Sequence, residues 1–149
     1  MNEVTIGVTS NDSFFQLSCE ETNAKLPVGS RLSRLAHHFI RQQSYYPIFP
    51  VPVVGGCDLN LDVTQQNAYA LPVQPDILLL PSRLTALAMD VANGTTVVNP
   101  GHLIKGTAPG SYAVMDIHPM KDEVLEGGAD DEEIFHNIRE RIRVEVRRI

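Results

Sequence analysis

Pro75-Asp76-Ile77-Leu78-Leu79-Leu80-Pro81-Ser82 and, shortly downstream, Thr95-Thr96-Val97-Val98-Asn99-Pro100-Gly101 are the two stretches on which the architecture of this chain turns. Residues 76–80 are a short apolar run entered through a proline, the pattern of a strand covered on both faces in a sheet flanked by helices. Pro81-Ser82 then offers a helix start. Ser82 reads as its N-cap, Leu84, Leu87, Ala88 and Val91 as an apolar face at helical spacing, and Asn93-Gly94 as its stop. Thr95-Thr96-Val97-Val98 reads as the next strand, ended by the turn residues Asn99-Pro100-Gly101. Strand, helix and strand in succession predict an α/β fold.

Toward the N-terminus, residues 3–10 alternate apolar and polar with β-branched side chains and predict a strand buried on one face. A strand so near the start of a large sheet leads us to expect a natural fold that extends further N-terminally. The spacing of Leu32, Leu35, Ala36, Phe39 and Ile40 predicts a helix over 30–43, with Ser30 placed to cap it. It must end before Tyr45-Tyr46-Pro47-Ile48-Phe49-Pro50-Val51-Pro52, where the prolines impose an extended path. Those aromatics suit either core packing or a docking ridge for a partner. Residues 53–67 show no period and read as loop.

Toward the C-terminus, residues 111–118 alternate as a strand, and Ile142, Val144, Val146 and Ile149 interleave with Arg143, Glu145, Arg147 and Arg148 as another. Between them, residues 119–137 are rich in Asp and Glu with few apolar anchors, so a mobile, solvated insertion is expected. The 149 residues, 43% hydrophobic and 20% charged, fit one globular domain. The net charge of -6 argues against a broad DNA-gripping surface, so any contact with DNA is expected to be indirect or weak. No window approaches the roughly 20 apolar residues of a membrane span. The start lacks a signal peptide's basic and apolar regions, and a soluble intracellular protein is the expectation. Cys19 and Cys57 stand apart, in no zinc or disulfide pattern.

The stretch from Pro75 to Gly106 resembles calcineurin-like metallophosphoesterases, in which an Asp-Ile-Leu-Val strand is followed by Gly-His-Thr-His and a later strand ends in Asn-Pro-Gly-Ser. Position by position, the glycine of that motif falls on Pro81, its first histidine on Ser82 and its second on Leu84. Leucine offers a metal no lone pair, and a serine hydroxyl replaces imidazole poorly. The resemblance therefore implies a phosphoesterase fold without its two-metal chemistry. Further motifs narrow the resemblance to the B-subunit family of DNA polymerase alpha. Ser44-Tyr45-Tyr46-Pro47-Ile48-Phe49-Pro50, the stretch 71–82, Asn99-Pro100-Gly101-His102-Leu103-Ile104-Lys105-Gly106 and Val144-Glu145-Val146-Arg147-Arg148-Ile149 are each similar to motifs of that family, in the same order. His102 replaces the family's usual arginine, and residues 53–67 match no motif.

The resemblance implies the C-terminal half of an inactive phosphoesterase-like domain over 1–149, with mixed sheets flanked by helices. It implies a nuclear, non-catalytic accessory subunit that scaffolds the catalytic subunit of DNA polymerase alpha, through that subunit's C-terminal domain, beside primase. No cofactor and no catalytic or metal residue is implied, and because the family has further domains the chain is expected to be a fragment or an incomplete gene model. The rivals are a metallophosphoesterase with unrecognised ligands and a free-standing protein-interaction module. The candidates for such ligands are scattered. His37 and His38 are adjacent on one helix and point apart, while His102, His118 and His136 share no ligand spacing. Asp12 is expected to organise a turn, and Asp76 sits at a strand entrance behind a proline.

Overall fold

A computed structural model of the chain describes residues 4–22, 29–53, 59–91, 94–121 and 138–149. Four strands form the central sheet: β1 (Ile6–Val8), β2 (Ile77–Leu79), β3 (Leu87–Val91) and β4 (Thr95–Asn99), in the order β1-β2-β4-β3. Strands β1, β2 and β4 are parallel, and β3 runs antiparallel to β4. Helices α1 (Ser13–Glu20) and α2 (Arg31–Arg41) follow β1. A short hairpin, β5 (Ile104–Lys105) with β6 (Ala108–Pro109), leads into a ribbon of β7 (Ser111–Ile117) and β8 (Ile142–Arg148), with the one-turn helix α3 (Ile138–Arg141) running straight into β8. The mixed sheets and helices are those of the C-terminal part of a calcineurin-like phosphoesterase fold, as the sequence implies.

The central strands are apolar because both faces of their sheet are covered. Leu78, Leu80, Val91 and Val97 pack with Phe14, Leu35 and Phe39 of the helices. Ile77 and Val98, on the other face, pack with Val4 and Ile138 and against Met115, Ile117, Ile142 and Val144 of the ribbon. The expected helix layer thus covers one face, and a two-stranded sheet covers the other. Each fully buried Leu, Phe or Ile contributes on the order of 2–3 kcal/mol in apolar burial.

One predicted element is corrected. The helix expected from Ser82 to Val91 is instead an extended connection followed by the strand β3. Leu84, Leu87, Ala88 and Val91 fit a helical period, but Leu87, Met89 and Val91 fit a period of two equally well. The neighbouring strand decides: Leu87 pairs with Asn99 and Val91 with Thr95, so the backbone groups of β3 are satisfied laterally. Leu87 and Met89 still reach the helix-side core, with Ala88 and Asp90 outward.

The strand expected over 3–10 with one face buried is reduced to β1, and because β1 lies at the sheet edge its apolar Ile6 and Val8 are exposed, with only Val4 before them buried. Ser30 occupies the N-cap of α2, but its carbonyl, accepting from Arg34 N at 3.2 Å, closes the first turn while its hydroxyl makes no cap bond. The end of the expected loop 53–67 instead belongs to two joined 3-10 turns over Val63–Tyr69, capped by Asp62, whose Oδ1 accepts from Thr64 N and Oγ1. Helix α1 and the β5–β6 hairpin are elements that the sequence patterns did not predict. The acidic residues 122–137, His136 and Cys57 lie outside the described residues.

Candidate functional site

In open α/β sheets, sites form where the carboxyl ends of parallel strands meet their loops. Here that edge gathers the β1–α1 turn, the segment 80–86 and the end of β4, bringing Asp12, Ser82, Leu84 and Asn99 together. The side chains of Asp12, Ser82 and Asn99 are each engaged with their neighbours, while the buried Ser13 Oγ at the start of α1 has no hydrogen-bond partner. Asn99, wholly buried, accepts through Oδ1 from Ser82 N and Gly101 N, both at 2.9 Å. Its Nδ2 donates to Leu84 O at 3.3 Å and Thr85 O at 3.2 Å. One side chain thereby fixes the course of the segment that would otherwise carry the metal-binding histidines.

Ser82 is also wholly buried, and its Oγ accepts from Leu84 N at 3.1 Å. Leu84 is half-buried against the helix-side core. Asp12 is the N-cap of α1: Oδ1 accepts from Phe15 N at 3.1 Å, while Oδ2 accepts from Arg83 N at 2.9 Å and pairs with Arg83 Nε at 3.3 Å. The Arg83 guanidinium lies 4.5 Å from the centre of the Phe15 ring. Asp12 thus closes one helix and clamps a segment 71 residues away. That link joins residues too distant for any local spacing to signal.

The remaining candidates do not converge on this edge. Asp76 sits at the opposite end of β2, where its Oδ2 accepts from Thr5 N at 2.8 Å. His37 and His38 are half-buried on α2, and His102 and His118 are exposed on separate loops. The His118 carbonyl accepts from Arg141 Nε at 2.9 Å, which ties the two strands of the ribbon at one end. Among the described residues, no three His, Cys, Asp or Glu side chains are grouped to hold a metal ion. The phosphoesterase metals do not fit this donor set, because the two positions of the histidine motif present a backbone-bonded hydroxyl and a hydrocarbon.

Two further hollows lie beside this edge. One of about 560 Å³ opens between the Tyr-Pro segment and the 3-10 turns, lined by Gln42, Ser44, Phe49, Val63 and Gln66 among others. The second, of about 380 Å³, lies past the end of β1, lined by Val8, Thr9, Ser10 and Asn11 among others. Tyr46, Leu61 and Tyr69 line both. The walls are joined at the base, since Tyr45 N donates to Tyr69 O and Leu71 N to Gln43 O, each at 2.8 Å. The Tyr-Pro segment therefore divides its roles, with Tyr46 and Ile48 in the core and Phe49 exposed.

This architecture, with its site edge closed by internal hydrogen bonds, defines a phosphoesterase-like scaffold. The chain belongs to the B-subunit family of DNA polymerases alpha and epsilon, whose model matches residues 1–88. It is 33% identical over 129 residues to the DNA polymerase alpha B-subunit of Mus musculus, covering 86% of this chain and 20% of that protein. The similarity to the Schizosaccharomyces pombe protein of the same name is 34% over 123 residues, covering 81% and 21%. To the Saccharomyces cerevisiae one it is 27% over 180 aligned positions, covering 98% and 25%. The chain spans about a fifth to a quarter of the length of these curated relatives.

Proposed function

We propose that this chain acts as a non-catalytic scaffold of DNA polymerase alpha, holding the catalytic subunit through that subunit's C-terminal domain within the polymerase and primase assembly of the nucleus. Family membership supplies the context. The observation that carries the reading is the commitment of Asn99, Ser82 and Asp12 to the backbone around them, at the edge where a phosphoesterase needs metal ligands. A buried amide making four hydrogen bonds to the chain cannot turn to a metal without leaving those groups unsatisfied. What remains is a rigid platform with loops and grooves for a partner. No cofactor is required for that role, and the excess of negative charge favours contact with protein over direct contact with DNA.

Two measurements test the reading. Hydrolysis of bis(p-nitrophenyl) phosphate with added manganese is expected to stay at the uncatalysed rate, and turnover proportional to protein concentration would overturn the non-catalytic assignment. Co-expression with the DNA polymerase alpha catalytic subunit is expected to yield a complex that survives size-exclusion chromatography. Separate elution of the two chains would remove the scaffold assignment.

A further inference from the structure

The two hollows, which share Tyr46, Leu61 and Tyr69, form a trough beside the Tyr-Pro segment and a smaller neighbour, and their composition departs from that of the chain. None of their described lining residues carries a formal charge, although 20% of the chain is Asp, Glu, Lys or Arg. Their lips are apolar and solvent-facing: Phe49 is 77% exposed, Val63 55% and Val8 58%. Phe49 and Val63 line the same hollow, and exposed apolar side chains gathered at one cavity and rimmed by polar groups mark a binding surface rather than scattered surface residues. Each volume also falls in the size range of ligand sites.

The polar groups of the trough narrow the occupant. The Ser44 hydroxyl is engaged with Tyr69 O and Tyr46 N and Asn11 Oδ1 with Gln16 Nε2, while the Gln42 and Gln66 amides stand at the surface among apolar side chains. Such groups match the free N–H and C=O groups of an extended main chain, whereas a helix satisfies its own. A charged ligand would lose hydration in the trough and find no counter-charge among the described lining residues.

We infer that the trough between the Tyr-Pro segment and the 3-10 turns docks an extended, uncharged peptide segment of the partner polymerase chain, with a bulky apolar side chain held between Phe49 and Val63. The identity of the partner rests on the scaffold reading; the chemistry of the segment rests on the trough. Phe49 and Val63 act as specificity determinants, because a charge placed at either repels an apolar anchor and leaves itself desolvated.

The test uses the full chain and an array of overlapping 15-residue peptides covering the catalytic subunit. The expected capture is by peptides without charged residues at their centre, and it weakens at least about tenfold in Phe49→Asp and in Val63→Glu. Leu103→Asp, a control at a 60% exposed position beside the β5–β6 hairpin, is expected to bind like wild type. Because both trough residues are exposed, the thermal melts of the variants should match wild type and separate lost docking from lost folding. Capture confined to charged peptides, capture undiminished in both variants, or no capture at all would overturn the inference. Co-elution of the intact catalytic subunit is scored separately, so a chain that co-elutes but fails on the array loses the trough and keeps the scaffold role.

Discussion

Asn99 Oδ1 accepts the Ser82 backbone N–H at 2.9 Å, so that the end of one strand holds the loop that leaves its neighbour. The same oxygen accepts from Gly101 N, and the amide nitrogen holds two carbonyls of the segment 84–85. Asn99→Ala leaves two backbone donors and two carbonyls without their partner, and is expected to destabilise the chain by about 3 kcal/mol in urea denaturation. A loss under about 1 kcal/mol would show that this knot does not hold the segment.

Gly101 adopts φ +75°, and a Cβ there would collide with Ser111 Oγ. Gly101→Ala adds left-handed strain of about 1–2 kcal/mol to that collision. In a Ser111→Ala background the collision is gone and only the backbone strain remains. A double-mutant cycle on thermal melts should therefore find the substitution milder in the Ser111→Ala protein. Equal costs in the two backgrounds would contradict the close approach.

Phe14 is wholly buried, edge-on to Phe39 with ring centres 6.1 Å apart. Truncating it removes the contact that fixes α1 to α2, and Phe14→Ala should cost about 4 kcal/mol in chemical denaturation. A cost near that of an exposed substitution would mean α1 does not belong to the core.

Hydrogen bonds from Arg147 and then Arg143, with their charges, hold the Glu145 carboxyl below its ordinary pKa. A depressed folded pKa stabilises above the unfolded value and ceases to do so as pH falls through the folded one. Wild type should therefore exceed Glu145→Gln in stability near neutral pH, and the gap should close as the pH falls below the ordinary carboxylate range through the depressed folded value. Because Glu145 is half-exposed and both arginines are exposed, high salt should narrow it too. A gap that is flat across the acid range would refute the coupling.

Strand β1 lies at the edge of the central sheet among the described residues, with Ile6 and Val8 exposed. Apolar edges of this kind template association between copies. Val8→Lys is expected to lower light scattering at high protein concentration while leaving the melting temperature within a few degrees of wild type. Unchanged scattering would place the sticky surface elsewhere.

Much of the fold is legible because it depends on local pattern. The run at 77–79 and the β-branched residues 95–98 read as strands, since a side chain covered on both faces must be apolar. Helix α2 announces itself by spacing, and β8 by alternation. Helix α1 carries a faint signal, an Asp12 cap ahead of Phe14 and Leu17, spread over only 8 residues. Strand β3 misleads because its apolar spacing satisfies two periods at once, and the choice belongs to β4.

Burial preference and ligand chemistry are properties of single side chains, so the strand core and the replacement of a histidine pair by Ser82 and Leu84 follow from residue identity and order. Which groups meet across long separations does not follow from them. That Asp12 clamps Arg83, that Asn99 closes the strand edge, and that Phe49 and Val63 face one trough are outcomes of packing in three dimensions. A buried donor must find whichever acceptor that packing brings within reach.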